Sequence, residues 1–402
     1  MAELLGNKIK RPLRPCPICF AASVEVLHTQ KFILPSNSPL PPEYDLVCCT
    51  VCGFVYADTP VTQADYDRYY RELSKYEDKN TASGTGEDLF DKDRLTATAR
   101  NIVRLFPNKS VSIVDIGCGN GGLLLTLKQN GYQNIKGLDP SAVCVNNIKN
   151  NGIDAVVGGL FNPKQNELFD LIILTHVFEH VRDLKLALIN LSAMLRPAGK
   201  LYLEVPDALR YNKFYKVPYY YFDTEHINHF CVASLLNLLR ENNFELISYG
   251  EKEFLFARDK LYPAVYVVGG KAGVIKRDLI KDTAVRSSIM DYLRMSERDQ
   301  GKIYGEQLNM LKNNQEGIAV WGAGNHTMRL LASSNLGKCN IKMFIDKDSK
   351  KQGQKLNGII IEPPTALKNF KETIVICSAI FSAEIIKEIK EMSLDNNLVV
   401  CN

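Results

Sequence analysis

The sequence has no apolar run that could cross a membrane, because no window approaches the roughly eighteen apolar residues that a transmembrane helix needs. The first ten residues are polar and lack the apolar core of a signal peptide. No basic run is interleaved with aromatic residues, and the net charge of +4 is too small to indicate a nucleic-acid partner. We therefore expect a soluble, cytoplasmic protein that binds neither membranes nor nucleic acid. The length of 402 residues suggests two or three domains.

The most informative segment is an apolar run that enters a glycine-rich turn and continues into a helical pattern. Asp115, Gly117, Gly119 and Gly121 give the spacing Asp-x-Gly-x-Gly-x-Gly, and we call residues 117–121 the first glycine turn. Glycine lets backbone approach a ligand because it has no Cβ, and the amides of the following helix start point into the turn. A second predicted strand, about twenty residues on, ends in Asp139, whose carboxylate can take both hydroxyls of a ribose. The pattern predicts a cofactor that contains ribose.

The glycine spacing distinguishes between cofactors. The dinucleotide fingerprint is Gly-x-Gly-x-x-Gly, whereas this turn resembles motif I of class I S-adenosylmethionine-dependent methyltransferases. More of that family's pattern follows in order at residues 169–174, 175–181 and 194–206. The resemblance implies an α/β fold with a Rossmann-like class I methyltransferase core and S-adenosylmethionine as cofactor. A domain that binds NAD, or no ligand, is the alternative. The cofactor-binding residues that the resemblance implies are Asp115, Gly117, Cys118, Gly119, Asn120, Asp139, Pro140, Thr175, His176 and Tyr76.

Four of the eleven cysteines form two Cys-x-x-Cys pairs near the N-terminus. They are Cys16, Cys19, Cys49 and Cys52. Two such turns can hold one Zn²⁺ in a closed tetrahedral site of four thiolates, which is a structural arrangement with no open position for catalysis. Cys48 is an alternative ligand to Cys49, although it breaks the spacing. Reduced thiols or a disulfide are the other interpretations, and a cytosolic setting disfavours the disulfide.

A metal-binding module ahead of a methyltransferase core resembles the three-domain C-methyltransferases that act on nucleotide-linked deoxysugars. The resemblance covers nearly the whole chain. With it, we predict a zinc-binding module at 1–70, a linker or lid at 71–90 and a methyltransferase domain at 91–250. Residues 251–402 are predicted to form a helix followed by a Rossmann-like α/β domain that binds substrate.

A second glycine turn, residues 322–324, follows an apolar strand pattern in the C-terminal part. It lacks the third glycine of the dinucleotide fingerprint. In the resembled family this domain helps to form the cleft for the substrate's nucleotide. Gly322, Gly324, Asn325 and His326 would then lie near a diphosphate at a helix start. Alternatively, the glycines only make a tight turn in a packing domain.

Residues 219–230 combine aromatic, carboxylate and imidazole side chains after the fifth strand, where ligands bind in open α/β sheets. The step Glu225-His226 matches the Glu-His step of the sugar C-methyltransferase motif. The resemblance implies that His226 is the base that removes a proton from carbon beside a ketone, and that the enolate attacks the methyl group. Glu225 would hold substrate or tune the imidazole. An ordinary histidine pKa of about 6.5 suits a base near neutrality.

One residue departs from the family pattern. Asp223 stands where the family usually has a tyrosine, and a carboxylate donates a proton to an enolate only if its pKa is raised. Asp223 could instead serve as the base for methylation of oxygen or nitrogen. His180 is a second catalytic candidate, although it could equally be a helix-start histidine bonded to backbone. The predicted substrate contacts outside the C-terminal domain are Tyr70, Tyr221, Asn228 and His229.

Together these patterns predict a methyltransferase for a nucleotide-linked keto sugar, with transfer to carbon. Transfer to oxygen or nitrogen of a related activated sugar, or of another small phosphorylated metabolite, is the alternative within the enzyme class. A non-catalytic scaffold that binds zinc and nucleotide is the alternative outside it. No pattern sets the oligomeric state, and a monomer is one possibility.

Overall fold

The structure, a computed structural model, describes residues 8–72, 89–161, 167–257, 260–273, 278–303, 305–314 and 316–401. Tyr76 and most of the predicted lid lie outside the described residues. Two compact units make up the chain, the first formed by Met1–Leu27, Val47–Phe214 and Glu225–Ile289. The second is formed by His28–Leu46, Tyr215–Thr224 and Met290–Asn402. Within the described residues, no helix is both long and apolar enough to span a bilayer.

The N-terminal part forms a five-stranded sheet of order β1-β2-β3-β4-β10. Its strands are β1 (Ile9–Lys10), β2 (Val24–Lys31), β3 (Glu43–Cys49), β4 (Val55–Asp58) and β10 (Asn228–His229). Strand β10 pairs antiparallel with β4, so that Asn228 lies opposite Tyr56. The segment that follows the Glu225-His226 step is therefore fixed to this sheet. Helix α1 (Gln63–Glu72) begins after Thr62, whose amide and hydroxyl both donate to Asp65 as a helix-start cap.

The central sheet has seven strands in the order β11-β12-β9-β8-β5-β6-β7. Its strands are β5 (Ile113–Ile116), β6 (Ile135–Asp139), β7 (Asp154–Val157), β8 (Phe169–Thr175), β9 (Leu195–Pro206), β11 (Phe244–Ala257) and β12 (Lys260–Lys271). Its helices are α2 (Leu89–Leu105), α3 (Gly122–Gln129), α4 (Ala142–Asn150), α5 (Leu184–Met194) and α6 (Val232–Glu241). Strands β5 to β9 pair in parallel, while β12 is antiparallel to both β9 and β11. The predicted mostly parallel α/β core is confirmed.

Alternate residues of the central strands pack on opposite faces of this sheet. Ile113, Leu171 and Ile173 join one apolar cluster with α2 and α3. Val114 and Ile172 join another, which also contains the cysteines and apolar residues of the N-terminal sheet. The two Cys-x-x-Cys turns and the central sheet thus share one core. A predicted boundary at residue 250 falls inside β11, because the antiparallel pair β11–β12 completes the central sheet.

The C-terminal sheet has six strands in the order β15-β16-β14-β13-β17-β18. Its strands are β13 (Ile318–Trp321), β14 (Ile341–Ile345), β15 (Lys355–Leu356), β16 (Ile359–Glu362), β17 (Thr373–Ile376) and β18 (Leu398–Val400). The remaining helices are α7 (Ala284–Ile303), α8 (Gly305–Asn314), α9 (Asn325–Ser333) and α10 (Ser382–Glu391). Strands β13, β14, β16, β17 and β18 pair in parallel, and β15 is antiparallel to β16. The second unit also takes residues 28–46 and 215–224, which the sequence prediction assigned to the zinc module and the methyltransferase domain.

Candidate active site and metal centre

The four cysteines predicted as metal ligands converge, and we call them the cysteine cluster. Their Sγ atoms all lie within 4.8 Å of one another, with 3.6 Å between Cys16 and Cys52 and 3.5 Å between Cys19 and Cys49. Four thiolates bonded at about 2.3 Å to a tetrahedral Zn²⁺ would be about 3.8 Å apart. A disulfide would need about 2.05 Å. The arrangement therefore fits a metal ion and not a disulfide.

The two turns of the cysteine cluster are built alike. The amide of Phe20 donates to the carbonyl of Cys16 at 2.9 Å, and that of Gly53 donates to Cys49 at 3.0 Å. Phe20 and Gly53 both have left-handed backbone, with φ of 60° and 81°. At Gly53 the residue type is required, because a Cβ would lie 1.8 Å from the carbonyl oxygen of Asp282. Each turn thereby directs its two thiols to one point.

Cys48, the alternative ligand, lies outside the cysteine cluster. Its thiol donates to the carbonyl of Gly53 at 3.5 Å. Burial raises the pKa of Cys48 to about 12, which keeps it a thiol near neutral pH. Cys48 is therefore a buried packing residue beside the turn.

The first glycine turn is clamped against the end of β6. Gly117, Gly119 and Gly121 all have positive φ, of 72°, 53° and 81°. Asp139 accepts hydrogen bonds from the amides of Gly119 and Ser141, both at 2.9 Å. A Cβ built on Gly119 would have no atom within 4 Å, so the turn is open at that residue. The backbone leaves room for a ligand beside the Asp139 carboxylate.

Asp115 lies buried at the end of β5, before the same turn. Its Oδ1 has no hydrogen-bond partner among the residues that the structure describes. Burial, helped by the charge of Asp139, raises the pKa of Asp115 to about 8. Buried polar atoms are normally paired, so this oxygen fits a ligand that brings a hydroxyl or ammonium donor. Both groups occur in S-adenosylmethionine.

The other predicted cofactor residues have different surroundings. Cys118 is buried, and Asn120 accepts a hydrogen bond from Asn147 at 2.7 Å, which ties the turn to α4. Pro140 is exposed after Asp139. Thr175 and His176 lie half-buried at the end of β8, and the His176 amide donates to the Glu204 carbonyl at 2.8 Å. A cofactor contact by each of them stays a prediction.

Three of the predicted catalytic and substrate side chains gather around Glu225 in the first unit. The Glu225 carboxylate is buried and accepts from Tyr69 at 3.0 Å and from Tyr70 at 3.5 Å, both on α1. The Tyr70 ring stands edge-on to His180, with centroids 5.6 Å apart. The His180 and His226 rings are 4.8 Å apart. We call these five residues the histidine cluster.

Two buried glutamates extend this arrangement toward the sheet, and the sequence patterns did not single them out. Glu179 lies 3.2 Å from Nδ1 of His176. The other ring nitrogen, Nε2, lies 3.7 Å from Glu204, which pairs with Lys252 at 3.0 Å. Burial lowers the pKa of Lys252, and the Glu204 carboxylate only partly reverses this effect. Contacts through His176 thus connect Glu179 with Glu204 and Lys252 on the central sheet.

Asn228 and His229, which are predicted to contact substrate, make contacts that stabilise the fold of the first unit. Asn228 accepts from Arg14 at 2.9 Å and donates to the carbonyls of Phe178 and Val181. His229 is buried, with its Nδ1 3.4 Å from the hydroxyl of Tyr211. These contacts secure β10, and a substrate contact for either residue stays a prediction.

Asp223 and Tyr221 belong to the second unit, because the boundary between the units falls after Thr224. Both are buried. The carbonyl of Asp223 accepts from the Tyr44 hydroxyl at 2.9 Å, and the Tyr221 hydroxyl accepts from Lys216 at 3.0 Å. A catalytic or substrate contact by either residue stays a prediction.

The second glycine turn has a hydrogen bond from a backbone amide to an aspartate, like that of the first glycine turn. The amide of Ala323 donates to Asp346 at 2.9 Å, as Gly119 does to Asp139. Gly322 has φ of 106°, and a Cβ there would lie 2.7 Å from the Cys377 carbonyl oxygen. Space around Gly324 is open. Asn325 accepts from Thr224 at 3.4 Å, while Nε2 of the buried His326 lies 2.8 Å from the Cys401 carbonyl.

Comparison with known proteins agrees with the geometry of the first glycine turn. Residues 90–249 match a family model described as a methyltransferase domain. C-methyltransferase NovU of Streptomyces niveus is 23% identical over 302 residues, which cover 69% of each chain. The protein is an S-adenosylmethionine-dependent methyltransferase. The dinucleotide-binding and scaffold alternatives are accordingly set aside.

Other known proteins are similar to smaller parts of the chain. The ubiquinone biosynthesis O-methyltransferase of Rickettsia bellii is 30% identical over 98 residues, 22% of this chain and 39% of that one. The solved structure of 1,6-didemethyltoxoflavin-N1-methyltransferase of Burkholderia thailandensis aligns with a TM-score of 0.41 and 16% identity. It covers 55% of this chain and 95% of that one. Residues 314–400 match a second model, described as C2185-like, N-terminal.

Replacement of Asp139 by asparagine is expected to weaken cofactor binding by the methyltransferase. A hydrogen bond to a charged group contributes about 1.5–3 kcal/mol, which corresponds to roughly a 10- to 100-fold higher Kd. Calorimetric titration with S-adenosylhomocysteine measures this change. The matched control is Asp170→Asn in β8, which removes a carboxylate paired with Arg196 and Ser112 outside the turn. An unchanged Kd for Asp139→Asn would show that this carboxylate does not hold the cofactor.

Proposed function

We propose that the methyltransferase acts on a nucleotide-linked keto sugar and transfers the methyl group to carbon, with His226 as the base. The observation that carries the proposal is the histidine cluster, in which an imidazole stands beside a buried carboxylate held by two tyrosines. The similarity to a C-methyltransferase over 302 residues supports it, because that match is longer than the methyltransferase domain alone. The sugar and nucleotide come from the resemblance of the domain order and of the Glu225-His226 step.

In this proposal His226 takes a proton from the carbon beside the ketone. The electron pair of the broken C–H bond passes into an enolate, whose carbon then bonds to the methyl group. S-adenosylmethionine supplies that methyl group on a sulfonium, and the bonding pair stays on sulfur. Glu225 orients the acceptor or the imidazole, because Tyr69 and Tyr70 fix both of its oxygens. A neutral imidazole can accept the proton and release it again in a later step.

Methyl transfer to oxygen or nitrogen is the second candidate. Asp223 in place of the family's tyrosine favours it, and so does the similarity to an O-methyltransferase over the core. The base would then remove a proton from a hydroxyl or amine.

The cysteine cluster and the second glycine turn complete the proposal. The cysteine cluster would hold a structural Zn²⁺, since its sulfur separations suit a tetrahedral ion. The second glycine turn would bind the diphosphate of the substrate, since the helix α9 starts at its open end. In this proposal, neither the cysteine cluster nor the second glycine turn takes part in proton removal.

Incubation with ¹³C-methyl-labelled S-adenosylmethionine and a panel of nucleotide-linked 4-keto and 3-keto sugars tests the function. We expect a labelled methyl group bonded to carbon next to the ketone, detected by carbon NMR. In D₂O, the enzyme should also exchange the proton at that carbon, since proton removal precedes transfer. The matching nucleotide sugar with a hydroxyl in place of the ketone serves as control and should show neither. Label on oxygen or nitrogen would contradict the carbon route.

A further inference from the structure

The two ring nitrogens of His180 both face acceptors. Nδ1 lies 3.1 Å from the backbone carbonyl oxygen of Glu225, and Nε2 lies 4.0 Å from Oε1 of Glu179. A carbonyl only accepts hydrogen bonds, so Nδ1 carries a proton. In a neutral ring, Nε2 would then present a lone pair to a carboxylate. An imidazolium has a proton on each nitrogen and suits both neighbours.

Glu179 supplies the charge that such an imidazolium needs. Burial opposes its ionisation, but the hydrogen bond with His176 and the nearby rings of His180 and His226 hold the pKa of the Glu179 carboxyl below its ordinary value. Its Oε2 is buried and has no hydrogen-bond partner in the described part of the chain. A buried carboxylate with an unpaired oxygen is costly unless a cation lies beside it. His180 is within ion-pair distance of this carboxylate.

We propose that Glu179 is a positioning residue that holds His180 as a fixed imidazolium and thereby leaves His226 as the neutral base. The rings of His180 and His226 are 4.8 Å apart, so a charge on the first disfavours a proton on the second. A fixed positive charge beside the base also stabilises the negative charge that develops on an enolate. His180 would then compensate for the proton donor lost where Asp223 replaces a tyrosine. The use of the pair in turnover rests on the proposed function.

The other titratable groups around His180 are consistent with this charge. Tyr70 presents its ring from α1, and Glu225 adds a second carboxylate on the segment that carries His226. His176 shares the Glu179 carboxylate from the end of β8, and it faces Glu204 on its other side. His176 therefore lies between two carboxylates. Because Glu204 interacts with His176 as well, the Glu179 carboxylate can also interact with His180.

Carbon NMR of protein labelled at histidine Cε1 tests the charge without any turnover. The chain has only six histidines, and His180→Asn assigns the resonance. We expect His180 in the wild type to titrate about one pH unit or more above the ordinary 6.5. Glu179→Gln should lower this midpoint by about one unit or more, because the amide cannot compensate an imidazolium. Glu179→Asp keeps the charge on a shorter side chain and should give an intermediate midpoint.

The matched control is Glu204→Gln, which removes an equally buried carboxylate on the far side of His176. It should leave the midpoint of His180 in place. A wild-type midpoint at or below 6.5, an unchanged midpoint in Glu179→Gln, or an equal shift in Glu204→Gln would overturn the proposal. If Glu179→Gln does not fold, the wild-type titration alone decides.

Activity gives an independent reading once an acceptor is known. The alkaline limb of the pH–rate profile should move to lower pH by about one unit in Glu179→Gln, since the imidazolium is lost sooner. A merely structural role would lower the rate at every pH without moving the limb. If no keto sugar is methylated, the proposed function fails while the NMR result still tests the charge of His180.

Discussion

Replacement of His226 by asparagine is expected to lower the rate of methyl transfer about 1,000-fold, the middle of the range for loss of a general base. Asparagine occupies similar space and keeps a hydrogen-bonding group, but it accepts no proton near neutral pH. The expected loss is in kcat, because His226 lies with His180 and Glu225 rather than in the first glycine turn. The rate at which S-adenosylhomocysteine forms from S-adenosylmethionine, in the presence of the acceptor, measures this loss.

Two further readings separate a catalytic loss from an unfolded variant. Calorimetric binding of S-adenosylhomocysteine should be unchanged in His226→Asn, and proton exchange of the keto sugar in D₂O should fall with the rate. The matched control is His28→Asn, which removes a half-buried imidazole that stacks on Tyr219 in the second unit. Full turnover by His226→Asn would remove this residue from the mechanism and leave the transfer to another base.

Removal of the Zn²⁺ that we propose for the cysteine cluster is expected to unfold the first unit. Structural sites bind Zn²⁺ with a free energy of about 10–16 kcal/mol. This is as large as the whole free energy of unfolding of a domain. The cysteines pack in the same apolar cluster as Val114, Ile172 and Leu203 of the central sheet, so the loss should spread to the methyltransferase core. We expect one Zn²⁺ per chain by elemental analysis, and a fall in Tm on the order of 10–20 °C or more after chelation.

Cys49→Ser should reproduce the effect of chelation, because three thiolates no longer close the tetrahedral site. The matched control is Cys48→Ser, which alters the adjacent thiol that donates to the carbonyls of Gly53 and Cys49 and lies outside the cysteine cluster. It should retain the metal and lose little stability. Wild-type zinc content and Tm in Cys49→Ser would show that the cysteine cluster is not a metal site.

The elements that depend on neighbouring residues were predictable from the sequence. The apolar run before Gly117 forms β5, and the helical pattern after the first glycine turn forms α3, Gly122–Gln129. The bond between Asp139 and Gly119 follows from a strand that ends beside the glycine turn. Such features were accessible because they depend on residue type and spacing over a few positions.

Contacts between distant parts of the chain could not be predicted from local residue patterns. Tyr69 bonds to Glu225 across 156 positions, and nothing in either local pattern pairs them. Glu179 looked like an ordinary residue of the segment after β8 until its burial beside His176 was known. Likewise, nothing in the local sequence of residues 28–46 indicates that they belong to the second unit.

The sequence by itself determined the chemistry that each segment can offer: glycines that admit a cofactor, paired thiols for a metal and a Glu-His step for proton removal. Tertiary structure alone decided which of these groups meet and how their charges are balanced. Burial sets the cost of each charge, and the neighbours that offset it, such as Lys252 for Glu204, come from remote strands. The chemistry of each segment can be read from the spacing of its residues along the chain. The contacts between segments form only when many weak packing contacts bring remote strands together.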